Sequence, residues 1–117
     1  MEVLYPKKNQ KIVTQVEIAD TFFKRFKGLM GREEIPEGFG LLIKPCNSVH
    51  TCFMKLPIDV LFINKDFQMI EIIKNMQPFR FSPILRDSAM VLELPAGTAV
   101  RLGLMVGDKV KLQSQVI

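Results

Sequence analysis

Short apolar segments separated by turn residues run through this sequence and restrict the folds open to it. Residues 11–18 alternate apolar and polar side chains, which is the pattern of a half-buried strand. Further strand-like segments are residues 2–5, 40–43, 48–54, 60–63, 68–76, 89–94 and the closing segment 104–116. Residues 64–67 have the composition of a hairpin turn, and residues 77–87, with two prolines, form the longest irregular connection. Seven or eight such strands predict a mainly β fold, a sandwich or barrel built as a single domain over residues 1–117. Strands and helices do not alternate, so we expect no parallel sheet.

One segment follows the helical period instead. Asp20 and Thr21 are good helix N-caps, and apolar residues recur after them at helical spacing with cations between. These apolar residues are Phe22, Phe23, Phe26, Leu29 and Met30. We predict one short amphipathic helix within residues 20–31, capped by Gly31, whose phenylalanines pack in the core against the sheet.

The stretch 46–64 contains both cysteines and the only histidine of the chain. If residues 48–54 form a strand, the even-numbered side chains, His50 among them, share one face. An extended chain would separate Cys46 and Cys52 by roughly 20 Å, whereas a disulfide needs Cα atoms within about 7 Å. We therefore expect two free thiols.

Charge and hydropathy exclude several kinds of partner. The net charge is +4, but the lysines and arginines are scattered along the chain and are not interleaved with aromatic residues on one face. We expect no nucleic-acid partner. No apolar run approaches the roughly 18 residues of a spanning helix, and the first residues do not resemble a secretory signal. The sequence therefore predicts a soluble, cytoplasmic protein with no membrane partner.

Four sequence blocks occur in a characteristic order and spacing. They are Arg-Phe-Lys-Gly-Leu-Met-Gly-Arg at 25–32, His-Thr-Cys-Phe-Met-Lys-Leu-Pro-Ile-Asp-Val-Leu-Phe-Ile at 50–63, Val-Leu-Glu-Leu-Pro-Ala-Gly at 91–97 and Gly-Asp-Lys-Val at 107–110. Together they span most of the chain, which resembles the family known as domain of unknown function 192 (DUF192). The resemblance implies a mostly β domain with a short helix bearing the Gly-Leu-Met block, and it implies no particular activity. The matching positions are Gly28, Leu29, Met30, Arg32, Phe53, Met54, Lys55, Asp59, Glu93 and Gly97.

The chain also departs from that family's pattern. Phe53 stands where the family often has a tryptophan, and Leu56 where it often has an asparagine. His50 and Cys52 look like features of a subgroup. A general mechanism for the family is therefore not implied by these two residues.

Two chemistries would use the histidine and the cysteines. A soft-metal site could combine His50, Cys52 and Met54, whose donor groups suit Cu(I). Neighbours on one strand face lie about 7 Å apart, so these ligands would converge poorly, and we predict no metal. A cysteine hydrolase could use Cys46 or Cys52 with His50 as base, but no third orienting group or known nucleophile motif is visible.

Two carboxylates are surrounded by apolar residues. Asp59 and Glu93 could act as an acid–base pair, because burial can raise a carboxyl pKa. Alternatively, Asp59 accepts backbone N–H bonds in the Leu-Pro-Ile-Asp corner, and Glu93 forms a salt bridge with a neighbour such as Arg32. We favour the structural role for both residues.

The residues favour binding without chemistry. Candidate ligand-binding residues are Arg32, His50, Lys55, Asp59, Arg86 and Glu93. Clustered cations at one end of the β domain would recognise an anionic small molecule or a carboxylate, with no cofactor. The alternative is a protein–protein interaction module with an exposed apolar patch. The sequence leans against an enzyme and leaves the oligomeric state open.

Overall fold

Eight strands and two short helices make up the part of the chain that the computed structural model describes, residues 1–114. The strands are β1 (Glu2–Tyr5), β2 (Gln10–Val13), β3 (Gln15–Ala19), β4 (Phe39–Ile43), β5 (Ile58–Asn64), β6 (Met69–Met76), β7 (Ser88–Pro95) and β8 (Lys111–Gln113). The helices are α1 (Phe22–Lys27) and α2 (Thr98–Leu102). The predicted mainly β fold is confirmed. The last two residues of the predicted closing segment 104–116 lie outside the described residues.

The strands form two sheets. One has five strands in the order β3-β4-β7-β5-β6, and the other has three in the order β2-β1-β8. Strands β3 and β4 pair in parallel, while the other pairs of the larger sheet are antiparallel. The larger sheet is therefore mainly antiparallel, and the one parallel pair at its edge was not expected from the sequence. The chain crosses from β3 to β4 through α1, and a single strand-helix-strand unit gives too little alternation to be seen in the sequence.

The five-stranded sheet is covered by apolar residues on both faces, and strand parity assigns each side chain to a face. Along β7, Leu92 and Leu94 belong to the cluster shared with the smaller sheet and α2, whereas Val91 belongs to the cluster on the other face. Glu93 has the parity of Val91. Its side chain therefore lies on the face that is covered by α1 and the loops rather than by the smaller sheet.

The predicted strand 11–18 is divided into two. β2 joins the three-stranded sheet and β3 joins the five-stranded one. The division falls at Thr14, whose N–H donates to Gly38 O at 2.9 Å, while the Gln15 N–H donates to the same oxygen at 3.1 Å. The alternation of apolar and polar residues continues across Thr14 because β2 and β3 are both half-buried.

The helix within residues 20–31 is present, with Thr21 as its N-cap: Thr21 Oγ1 accepts from the Lys24 N–H at 3.2 Å. The prediction that its phenylalanines are core is wrong, since Phe22, Phe23 and Phe26 are 78%, 71% and 56% exposed. The helix has only six residues and ends at Gly28, not Gly31. One and a half turns cannot bury so many large side chains.

The predicted strand 48–54 is wrong, because this segment is an irregular loop with a single isolated bridge between His50 and Phe81. Backbone groups of this segment form hydrogen bonds with the other long loop, residues 77–87. The Thr51 N–H donates to Arg80 O, and the Phe79 N–H donates to Thr51 O, both at 2.9 Å. Loops 45–57 and 77–87 therefore hold each other in place. None of the helices within residues 1–114 has the length and apolarity needed to cross a bilayer.

Candidate functional site

A cleft of about 430 Å³ opens between α1 and the loop that follows β4, with β7 beneath it. Its apolar walls include Phe22, Phe26, Ile43 and Val49. Its lining also includes Arg25, Cys46, His50 and Glu93, which carry ionisable groups. The volume falls within the range of roughly 300–1,000 Å³ that is usual for small-molecule sites.

Glu93 lies at the base of this cleft and is 2% exposed. It is on the central strand β7, where it pairs with Leu41 of β4 and Val60 of β5. Its Oε1 has no hydrogen-bond partner among the described residues. Burial raises the pKa of the carboxyl group to about 8, because the charged form loses its hydration. The group therefore carries a proton near neutral pH.

Gly28 explains how α1 can approach this carboxyl. A Cβ at position 28 would lie 3.1 Å from Glu93 Oε1, and the residue has a φ of +50°, which side chains rarely adopt. Glycine is thus required here by both space and backbone conformation. The Gly-Leu-Met block closes the helix over the buried acid.

Arg25 extends from α1 into the same cleft. One guanidinium nitrogen, Nη1, donates to Pro45 O at 3.1 Å. Its Nε is buried and has no hydrogen-bond partner among residues 1–114. The side chain is therefore anchored at its tip and has an unused donor.

His50 is fixed by both ring nitrogens. Nδ1 accepts from the Cys52 N–H at 3.1 Å, so the proton lies on Nε2, which donates to Phe26 O at 3.1 Å. The ring lies between two phenylalanines, with centroid distances of 5.2 Å to Phe26 and 6.3 Å to Phe81. His50 is thus a neutral wall residue, and neither nitrogen is available as a base.

Cys46 and Cys52 are free thiols. Burial raises the pKa of the Cys46 thiol, to which the nearby Glu93 also contributes, and Cys46 Sγ donates to Ser48 O at 3.1 Å. A protonated thiol without a base is a poor nucleophile. The described residues contain no group of three or more His, Cys, Asp and Glu side chains that could hold a metal ion.

Asp59 accepts backbone hydrogen bonds as predicted, but its donors are distant in sequence. The Asn75 N–H donates to Oδ1 at 2.9 Å, and the Ala99 N–H donates to Oδ2 at 2.8 Å. The second bond caps α2, whose own N-cap residue, Gly97, has no side chain for this purpose. Asp59 pairs with Leu94 across β5 and β7, so it faces the opposite side of the sheet from Glu93. The two carboxyl groups therefore cannot act on one ligand.

The other predicted site residues do not line the cleft. Arg32 donates to Glu17 at 2.7 Å and lines a second groove beside α1, so the proposed Arg32–Glu93 salt bridge is absent. Lys55 donates to Glu33 Oε1 at 3.2 Å on the surface, and Arg86 is exposed. Of the six candidate residues, the structure brings together His50 and Glu93.

Sequence reasoning missed Arg25 as a site residue. A usable signal was present in the spacing of the first block. Arg25 precedes Gly28 by three residues, which places both on one side of a helical turn. A glycine that lets α1 approach the sheet therefore also indicates which cation turns toward it.

The fold and the cleft define a class: a mainly β domain with a ligand-sized cleft on the helix-covered face of its larger sheet. The chain belongs to the DUF192 family, described as Uncharacterized ACR, whose model matches residues 4–112. It is 33% identical to a UPF0127 protein of Pyrococcus furiosus over 109 residues, which cover 89% of this chain and 91% of that protein.

Two crystal structures share the fold. A protein of unknown function from Novosphingobium aromaticivorans is 28% identical, with a TM-score of 0.83 over 95% of this chain and 82% of its own. A putative transcription regulator from Sinorhizobium meliloti is 31% identical, with a TM-score of 0.79 over 94% of this chain and 89% of its own. These similarities establish family and fold and leave the activity open.

Proposed function

We propose that the cleft binds a small molecule bearing a carboxylate on an apolar body, and that the protein acts by binding rather than by catalysis. One observation carries the proposal. Within residues 1–114, two buried side-chain polar atoms have no hydrogen-bond partner, Arg25 Nε and Glu93 Oε1. Both residues line the same cleft. Unpaired buried polar groups cost roughly 1–3 kcal/mol each, so a ligand that pairs with these residues recovers that cost.

The charges of the cleft favour an anion. Among residues 1–114, Arg25 is the one lysine or arginine that lines the cleft, and Glu93 is protonated below about pH 8. A ligand carboxylate would accept from the Arg25 Nε–H and from the protonated carboxyl of Glu93, and both bonds involve a charged group. The sequence-based proposal of an anionic ligand is kept, but with Arg25 and Glu93 in place of the wider cationic cluster.

The walls favour an apolar body, since Phe22, Phe26, Ile43 and Val49 contribute apolar side chains to the lining. Catalysis has little support in the same geometry. His50 uses both nitrogens for backbone groups, and the Cys46 thiol is held protonated.

Three probes with the same six-carbon body separate the possibilities: hexanoate, hexanol and hexylamine, titrated into the protein and followed by amide NMR shifts around the cleft. We expect hexanoate to bind most tightly. Arg25→Gln should weaken hexanoate by about 10- to 100-fold, because a hydrogen bond to a charged group contributes roughly 1.5–3 kcal/mol.

The matched control is Arg32→Gln, which removes an arginine from the neighbouring groove and should leave the affinity unchanged. Raising the pH through about 8 should also weaken hexanoate, since an ionised Glu93 repels it. Tighter binding of hexylamine, or equal affinities in the two arginine variants, would contradict the proposal.

A further inference from the structure

A cluster of exposed apolar side chains extends from the cleft wall onto the neighbouring loops, and most of its members lie outside the cleft lining. This surface, called the aromatic face below, consists of Phe22, Phe26, Phe53, Phe79, Phe81 and Ile84, all exposed. Ring contacts join five of the aromatic rings here into two groups. His50 links Phe26 to Phe81, and the Phe53 and Phe79 rings meet edge to face at 5.8 Å.

The aromatic face is preorganised by backbone hydrogen bonds. Thr51 Oγ1 donates to Gln77 O at 2.6 Å and accepts from the Arg80 N–H at 2.9 Å, which fastens one loop to the other. The Gly31 N–H donates to Phe53 O at 3.3 Å and fastens the loop to the end of α1. The exposed rings are therefore held in place on folded segments.

Two of these phenylalanines have a strained backbone conformation. Phe53 and Phe79 have φ values of +61° and +62°, in the left-handed region that bulky residues rarely occupy. Such strain persists where the surrounding structure enforces it, and it concentrates at functional surfaces. Phe53 and Phe79 are 69% and 58% exposed and pack against each other rather than in the core, so full burial within the protein does not offset their strain.

The charge of the same segments indicates which kind of molecule. Residues 21–27, 45–56 and 77–86 contain no Asp or Glu, although Asp20 and Asp87 stand at their borders. Their cations are Lys24, Arg25, Lys27, Lys55, Arg80 and Arg86. Phenylalanines surrounded by cations match the headgroup region of an anionic bilayer, where rings enter the acyl boundary and cations meet lipid phosphates.

A protein partner fits less well. Lysine is depleted at the centres of protein–protein interfaces, whereas Lys24 and Lys27 alternate with the phenylalanines of α1. We propose that the aromatic face docks the protein on the surface of an anionic lipid bilayer, with the cleft mouth toward the lipid. This proposal departs from the sequence-based expectation of no membrane partner, which rested on the lack of a spanning segment; surface docking needs no such segment.

Vesicle co-sedimentation tests this. The vesicles are 3:1 phosphatidylcholine:phosphatidylserine, with pure phosphatidylcholine as the neutral comparison. We expect at least about tenfold tighter binding to the anionic vesicles, weakened by salt because the attraction is screened. The double variant Phe53→Asn/Phe79→Asn should lose at least about tenfold, since asparagine tolerates the left-handed backbone but does not enter the bilayer. The pair Lys24→Gln/Lys27→Gln should lose the preference for anionic vesicles without altering Arg25.

Controls come from the far end of β5, about 20 Å along the strand from loop 45–57. Met105→Ser removes an exposed apolar side chain and Lys109→Gln removes a cation. Neither should change sedimentation, and thermal melts should show every variant folded. Equal binding to the two kinds of vesicle, or equal loss in the Phe and Met variants, would overturn the proposal. The proposal would also be overturned if the protein bound an acidic Leu-Glu repeat peptide but did not sediment with either kind of vesicle. That result would indicate a protein partner.

Discussion

Replacing Glu93 with glutamine tests the buried acid at the base of the cleft. Burial raises the pKa of Glu93 to about 8 from its ordinary value of 4.5. Between these values the unfolded chain has released the proton and the folded protein still holds it. The folded state therefore binds one more proton, and the free energy of unfolding falls as the pH rises through this window. The stabilising contribution is complete below about pH 4.5 and is lost once the pH passes about 8.

The magnitude follows from the width of the window. One pKa unit corresponds to about 1.4 kcal/mol, so the shift of Glu93 amounts to roughly 4–5 kcal/mol of unfolding free energy. Glutamine has nearly the same shape and no proton to lose. We expect Glu93→Gln to match the wild type near pH 4.5 and to exceed its stability by roughly 4 kcal/mol near pH 8.

Urea unfolding followed by circular dichroism, at steps between about pH 5 and pH 8.5, measures this difference. The control is Glu34→Gln, an exposed carboxylate on the loop after α1, which should leave the pH profile of the wild type unchanged. A constant difference between wild type and Glu93→Gln across the window would refute the reasoning. A variant less stable than the wild type near pH 8 would do so too, since it would show that the carboxylate is ionised and favourably paired.

Substitutions at three further positions test the structure around the site. Asp59→Ala should lower stability by about 1–3 kcal/mol, because two backbone N–H donors lose their acceptor. Asp59→Asn should lower stability less. A urea midpoint equal to or above that of the wild type for the alanine variant would mean that Asp59 does not stabilise the fold. Gly28→Ala should lower stability by about 1–3 kcal/mol and weaken hexanoate binding, because the new methyl group would crowd Glu93 Oε1 and the residue has a positive φ. Unchanged unfolding and affinity would show that α1 does not need a glycine there. Thr51→Val should lower stability by about 1–3 kcal/mol and reduce vesicle sedimentation, because the hydroxyl that bonds loop 77–87 is lost. Thr51→Ser keeps the hydroxyl and should change neither. A valine variant that behaves like the serine variant would show that the Thr51 hydroxyl does not hold the two loops together.

The turn between β5 and β6 was predictable because it depends on local signals, whereas the parallel pairing of β3 and β4 was not. The hairpin turn at residues 64–67 is formed as expected, with the Asn64 N–H donating to Gln68 O at 3.0 Å. The mutual fastening of loops 45–57 and 77–87 was not predictable, since its partners are far apart in sequence. The residue types at 48–54 are equally compatible with a strand and with an irregular loop. Thr51 is fully buried because the second loop covers it, and no property of residues 48–54 alone indicates that loop.

The site depends on the same kind of long-range information. Asp59 and Glu93 both lie in apolar surroundings in the sequence, and sequence reasoning gave both the same structural role. They differ in the hydrogen-bond donors that the neighbouring elements supply. Asp59 faces α2 and β6, which supply two backbone donors, so its carboxylate is satisfied and contributes to stability. Glu93 faces Gly28, whose lack of a side chain admits the carboxyl without offering it a partner. The fold thus satisfies one buried acid completely and leaves an oxygen of the other unpaired, in a cleft that is also lined by an arginine with an unpaired nitrogen. The strained Phe53 and Phe79 are exposed on the two loops. An unpaired acid, an unused donor and outward strain are each unfavourable for the isolated protein, and a ligand and a docking surface account for all three.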